Sequence, residues 1–370
     1  MLKADLAQRI ETYKSSDIFQ YYLLARDRVL EMIEEGQARE DNTSLYWLNE
    51  LVGFEYMLDA SPLIVQKLRE HCFHLTGIRS YEYRGHHIHQ REKFARMLSV
   101  LRQQDQHNLF VPEPDVLGGF GHNIDEHLVN FDTLRFLGDL IAMDRGGVLD
   151  SFRENKGKRK TVLEIGAGWG GFAYAFKTLF HNTTYVIIDL PQTLLFSAVY
   201  LRAAFPSASM LLFGDKPPEV LLEDVQSYDF IFLPHYFLDP IHKLGQLDLA
   251  INIASFQEMT SDQVDRYASR LSDSGCAAIF SHNRDHSPHN PQLTTVSSIL
   301  EKYYQLVRIT GLVDVYHNDI LSSKAFSDRF GALAGRGKNI IRNLIYGRSV
   351  KKEEKVTDYR YLVGYLNSHG

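Results

Sequence analysis

The sequence predicts an α/β fold, a doubly wound and mostly parallel sheet preceded by a helical region. Three observations predict it. Residues 1–152 carry apolar residues at helical spacing with few strand patterns. From residue 161 onward, short β-branched and aromatic runs alternate with helical patterns. The first of these runs, TVLEIGAGWGGF at 161–172, passes through closely spaced glycines into another helix pattern. Strands alternating with helices imply right-handed crossovers and a sheet covered on both faces. A length of 370 residues suggests two domains: a helical one over 1–153, a linker over the polar ENKGKRK stretch at 154–160, and an α/β one over 161–370.

In chain order, Ile18, Tyr22, Ala25, Val29, Met32 and Ile33 fall on one helical stripe, with Ser16 and Asp17 as candidate caps. Further helices are expected over 45–58, over 62–74 with Ser61 as cap and Pro62 in the first turn, over 92–103 and over 131–143. PEPDVLGGFG at 112–121 reads as a loop. Buried strands are expected over 161–165, 185–189, 230–233, 249–253 and 276–280, with 304–315 and 359–366 closing the sheet antiparallel. Residues 210–213 are a second candidate for the third strand. The glycines and basic residues of 326–350 read equally as a flap or as solvated surface.

Composition narrows the partners. Lys plus Arg number 40 against 46 Asp plus Glu, a formal net charge of -6, so no broad positive field offers itself to nucleic acid or an anionic membrane. Cys72 and Cys276, far apart and without CxxC spacing, read as reduced core thiols, which points to the cytoplasm. Neither a signal-peptide pattern nor a run of apolar residues of membrane-spanning length is seen, so no membrane partner is expected.

The glycine turn is the most informative segment. Gly166, Gly168 and Gly170 permit a tight backbone turn at the carboxyl end of the first strand, where a ligand can approach the main chain. Asp189, about 20 residues on at the end of the second strand, is placed to accept the hydroxyls of an adenosine ribose. Gly166, Gly168 and Gly171 also satisfy the dinucleotide pattern GxGxxG. Against that reading, Glu164 would set an anion beside a pyrophosphate, whereas the ammonium and sulfonium of S-adenosylmethionine suit an acid there.

With its acidic-x-Gly-x-Gly-x-Gly run at 164–170, the chain resembles the class I S-adenosylmethionine-dependent methyltransferases over residues 161–280. More narrowly, YVIIDLPQTLLFSAVYL (185–201), DFIFLP (229–234) and INIASFQEM (251–259) resemble the bacterial sugar O-methyltransferase family. The resemblance implies a Rossmann-like, seven-stranded methyltransferase sheet, mostly parallel with an antiparallel last strand. It implies S-adenosyl-L-methionine as cofactor and a sugar hydroxyl as acceptor, on a glycan or a small molecule. It also implies a helical N-terminal domain that caps the substrate and could join subunits into a homo-oligomer. By this resemblance Glu164, Gly166, Ala167, Gly168, Trp169 and Gly170 surround the methionine moiety, and Asp189 with Leu190 holds the ribose. The adenine edge falls to Asp215, after residues 210–213, or to Pro234 and His235, which end the phrase that matches better. Asn252 and Ser255 contact the cofactor or fix the turn after the fourth strand.

Methyl transfer to a hydroxyl needs a positioned oxygen and a base. Glu258 is one candidate, with a helix-start carboxylate as the equally weighted alternative. His282, after the fifth strand, is the other. Beside it stand His286 and His289, and farther off His86, His87 and His89, which reach the cleft only if the helical region caps it. Near the fourth strand only one carboxylate is offered, so no metal is expected. The rival readings are an NAD-dependent oxidoreductase and a cofactor-binding scaffold without turnover.

Overall fold

The computed structural model describes residues 2–39, 45–84, 88–154, 157–285, 293, 295–313, 315 and 359–367. His86, His87, His286, His289 and the 326–350 segment lie outside them, as do parts of the 154–160 stretch.

Ten strands are present among the described residues: β1 (His122–Ile124), β2 (His127–Val129), β3 (Lys160–Ile165), β4 (Thr183–Asp189), β5 (Met210–Leu212), β6 (Phe230–Pro234), β7 (Leu249–Ile253), β8 (Ala278–Arg284), β9 (Tyr304–Ile309) and β10 (Tyr359–Leu366). β1 and β2 form a separate antiparallel hairpin, which the polar sequence around it does not announce. The other eight make one sheet in the order β5-β6-β4-β3-β7-β8-β10-β9. Its pairings are parallel except where β10 runs antiparallel to both β8 and β9. The last strand is therefore the antiparallel one, as expected. The expected count of seven is corrected to eight, because both candidates for the third strand are strands. β6 pairs with β4, and β5 adds to its outer side.

Every residue of β4, β6 and β7 is buried, as befits strands covered on both faces. From β3 the chain runs outward to β4 and beyond, then returns on the other flank with β7. The strand order thus reverses between β3 and β7, where doubly wound sheets open a crevice at the carboxyl ends of their strands.

The helix Asp17–Ala38 carries Tyr22, Ala25, Val29 and Met32 on its buried face and packs on the helix Pro191–Ala204. Ser16 caps it by accepting the Phe19 N–H at 3.3 Å. The helix expected over 62–74 is instead three short turns, Pro62–Val65, Leu68–His71 and Phe73–Thr76. One cause is visible at its middle, where the Arg69 N–H leaves the helical ladder to bond the Leu117 carbonyl at 2.9 Å. The helix Phe131–Arg145 is capped by a reciprocal Asn130–Thr133 box and is buried on almost all sides. A single apolar core runs from Phe19 to Val363, across the join between the helical region and the sheet. Among the described residues no helix is long and apolar enough to cross a membrane.

Candidate active site

A cleft of about 1080 Å³, its open mouth included, lies at the carboxyl ends of β3, β4 and β7. Glu164, Gly166, Ala167, Gly168 and Trp169 line it from β3 and its turn, Asp189 and Leu190 from β4, His235 from the end of β6, and Ser255 and Glu258 from beyond β7.

The turn is held by the acid at the end of the next strand. Asp189 accepts the Gly168 N–H at 2.8 Å on one carboxylate oxygen and the Leu190 N–H at 2.7 Å on the other. Gly168 sits at φ +58°, a left-handed conformation costly for any residue with a Cβ, and nothing approaches the place where a Cβ would stand. The position is a cradle open to the cleft. A Cβ on Gly166 would collide with the Ser255 side chain, so the missing side chain lets the two strand ends meet.

Three acids face this space. Glu164 is buried beneath the turn, where the Tyr185 hydroxyl donates to it at 2.9 Å, and burial pushes its pKa up to about 8. Burial likewise raises that of Asp189, against the hydrogen bonds it accepts from Thr193, Leu190 and Gly168. Glu258 is pushed up to about 8, first by burial and then by Glu50, while the Trp47 side chain hydrogen-bonds it and pulls the other way. Glu258 is not the cap of the helix Ser261–Asp273. Thr260 and Gln263 perform that service reciprocally, and Glu258 stands two residues before the cap, near the positive end of that helix.

Five of the expected site residues are absent from the cleft lining, and one of them, Asn252, takes the turn-fixing role that was one of its two expected ones. His282 does not follow its strand. β8 continues to Arg284, so His282 sits within it, paired across to Ile253 and Tyr361, fully buried and away from the cleft lining. Its Nδ1 meets Asp139 Oδ1 at 2.5 Å and its ring stacks on Tyr361, a structural dyad in place of a base at the cleft. Asp215 lies beyond the outermost strand and pairs with Arg28 at 3.1 Å, so it is withdrawn from the adenine edge. Pro234 ends β6 opposite Asp189 in register but is not part of the lining, which leaves His235 there. Asn252 fixes the turn after β7, donating to the Ile165 carbonyl and accepting the Phe256 N–H, both at 2.9 Å. Gly170 borders the helix Pro191–Ala204, where a Cβ would press on Ser197 and Leu201. Gly171 makes room for the Trp169 ring, so the GxGxxG spacing owes its last glycine to packing.

The sequence reading missed what the helical region brings to the cleft, namely Trp47, Leu75, Thr76, Arg135 and Phe136, and also Met259, Gln263 and Tyr267 near β7. Among the described residues no group of three or more His, Cys, Asp or Glu side chains could hold a metal ion.

Neither a family model nor a curated protein matches the chain. Solved structures similar to it include methyltransferases. WbdD, elsewhere described as a bifunctional kinase-methyltransferase, is 15% identical over 62% of this chain and 40% of its own, at a TM-score of 0.36. This chain thus matches about two fifths of the length of WbdD. The methyltransferase domain of bacterial CtHen1 is 13% identical over 64% of this chain and 100% of its own, at 0.35. Phosphoethanolamine N-methyltransferase 2 of Haemonchus contortus, solved with S-adenosylhomocysteine, is 15% identical over 64% of this chain and 61% of its own, at 0.31. Likenesses this distant do not carry the neighbours' activities to this chain.

Proposed function

We propose that the chain transfers a methyl group from S-adenosylmethionine to a hydroxyl of a sugar unit, on a polysaccharide, a sugar nucleotide or a glycosylated metabolite. The observation that carries the cofactor reading is the set of three carboxyl groups in the cleft, two of which burial keeps protonated until a bound cation favours their ionised form. Glu164, Asp189 and Glu258 line the same space as the open cradle at Gly168. Such a lining suits a ligand with an ammonium and a sulfonium and opposes a pyrophosphate, which weakens the NAD reading.

The residues fit the ligand at both ends. An Asp carboxylate offers about four acceptor sites, so Asp189 can hold the two turn amides and the Thr193 hydroxyl and still accept a ribose hydroxyl. Arg135 and Glu164 line one cleft as a cation and an acid, which matches a zwitterionic amino-acid tail. When bound, S-adenosylmethionine supplies an electrophilic methyl carbon. Glu258 accepts the acceptor's hydroxyl proton as the oxygen becomes a nucleophile, and a pKa of about 8 matches a base working near neutrality. The helical region caps the acceptor through Trp47, Leu75 and Thr76. The sugar acceptor rests on the family resemblance of residues 185–201, 229–234 and 251–259.

The test is mass spectrometry of a panel of sugar nucleotides and glycans incubated with S-adenosylmethionine. One panel member should gain one methyl, and Glu258→Gln should slow that gain roughly 10²–10⁴-fold. Cofactor binding without any methylated product would leave a scaffold, and hydride transfer from NADH would leave an oxidoreductase.

A further inference from the structure

The helix Leu45–Leu51 precedes the sheet by more than a hundred residues, yet its Trp47 side chain lines the same cleft as Glu258 and hydrogen-bonds that carboxyl. An indole N–H can only donate. It therefore stabilises the ionised carboxylate more than the neutral acid, and it fixes the direction in which the remaining lone pairs point.

The backbone around Glu258 leaves the carboxyl dependent on such a partner. Glu258 ends a single 3₁₀ turn, Phe256–Glu258, that hangs from Asn252 through the Phe256 N–H. The following helix takes its cap from Thr260 and Gln263 and does not use the Glu258 side chain. Charged groups act on Glu258 from three sides: Glu50 on the same helix as Trp47, Asp189 at the end of β4 and Arg284 at the end of β8. The two acids oppose its ionisation and Arg284 favours it. Tyr267 adds a titratable phenol to the same lining.

We propose that Trp47 is a positioning residue for the proposed transfer, the group by which the helical region orients the Glu258 carboxyl toward an acceptor hydroxyl. The site is then incomplete without residues 45–51. The assignment rests on the methyltransferase reading for its purpose, but the Trp47–Glu258 pair can be tested without an acceptor.

Trp47 is one of 2 tryptophans, so protein fluorescence reports on it. Glu164 is also pushed to about 8 and shares the cleft with the other tryptophan, Trp169, so it is replaced by Gln for the titration; across neutral and alkaline pH that chain should show a transition with a midpoint of about 8, the value to which Glu258 is pushed. The transition should vanish in Glu258→Gln, an isosteric change, and independently in Trp47→Phe, which keeps an aromatic ring and removes the donor. No transition in the Glu164→Gln chain, or one that survives the added Glu258→Gln, overturns the pair. In the transfer assay the acid limb of kcat should move to higher pH in Trp47→Phe, because the lost hydrogen bond favoured the carboxylate. An unmoved limb makes Trp47 merely structural and overturns its role. A chain that shows the transition and fails to bind S-adenosylhomocysteine refutes the cofactor reading and leaves the pair standing.

Discussion

Asp189 serves two purposes with one carboxylate, holding the glycine turn closed through Gly168 and Leu190 and facing the cleft with its remaining acceptor sites. Truncation to alanine would therefore confuse a loosened turn with a lost ligand contact. Asp189→Asn is the milder variant: its amide oxygen keeps one of the two turn bonds, its NH2 gives up the other, and the charge is lost. It should weaken S-adenosylhomocysteine by about 1.5–3 kcal/mol in calorimetry, the worth of hydrogen bonds to a charged group; unchanged affinity would remove the ribose assignment. Asp189 was legible because its place at the end of a strand follows from the pattern of the strand itself. His282 was misplaced because SHNR looks like the start of a loop. Its polar side chains are tolerated inside β8 by partners far away in sequence, Asp139 for His282 and Asn252 for Asn283.

Between elements, the most consequential contact is a buried charge cluster. Arg69 is fully buried, pairs with Glu113 at 2.7 Å and Asp132 at 2.9 Å, and lays its guanidinium 3.7 Å from the centre of the Trp169 ring. One side chain thus ties a short helical turn, the 112–121 loop region, the helix Phe131–Arg145 and the glycine turn together. Arg69→Met leaves Glu113 buried without its cation and Asp132 with Arg135 alone, at 3.3 Å, and should cost about 3–5 kcal/mol of stability in denaturant unfolding. A loss below about 1 kcal/mol would mean that the cluster does not anchor the cap. None of this was legible in the sequence, where 62–74 reads as one amphipathic helix and 112–121 as a plain loop. Propensity and periodicity describe local preference, and a buried arginine that reorganises its own helix is decided by tertiary partners. The strands fared better. Buried parallel strands show themselves as short continuous apolar runs, and of the two runs at 210–213 and 230–233 the favoured second stands beside β4, with the first added outside it.

Over the whole molecule, the acidic cleft couples stability to pH. Glu164 and Glu258 both ionise near 8 in the folded chain against an ordinary value of 4.5, so the folded state holds protons that the unfolded state has released. Their contribution is fully present below about pH 4.5 and is lost as pH rises through about 8. Replacing Glu164 by Gln should flatten this fall, so that the variant gains stability relative to the parent at pH 8 and less at pH 5.5. Equal differences at both pH values would show that Glu164 is already ionised in the folded protein. The continuous core from Phe19 to Val363 has a further consequence, for the helical region supplies a wall of the cleft as well as a cover. Which helices would reach the site was hidden in the sequence, because capping is a matter of docking and not of local pattern.

The central claim is that this acidic cleft is built for S-adenosylmethionine. Titration calorimetry of the intact chain with S-adenosylhomocysteine and, separately, with NAD tests it most directly. Saturable one-site binding of S-adenosylhomocysteine, lost in Gly168→Val and weakened in Asp189→Asn, with no heat from NAD, is expected. Binding of NAD in its place, or S-adenosylhomocysteine binding indifferent to both substitutions, would contradict it.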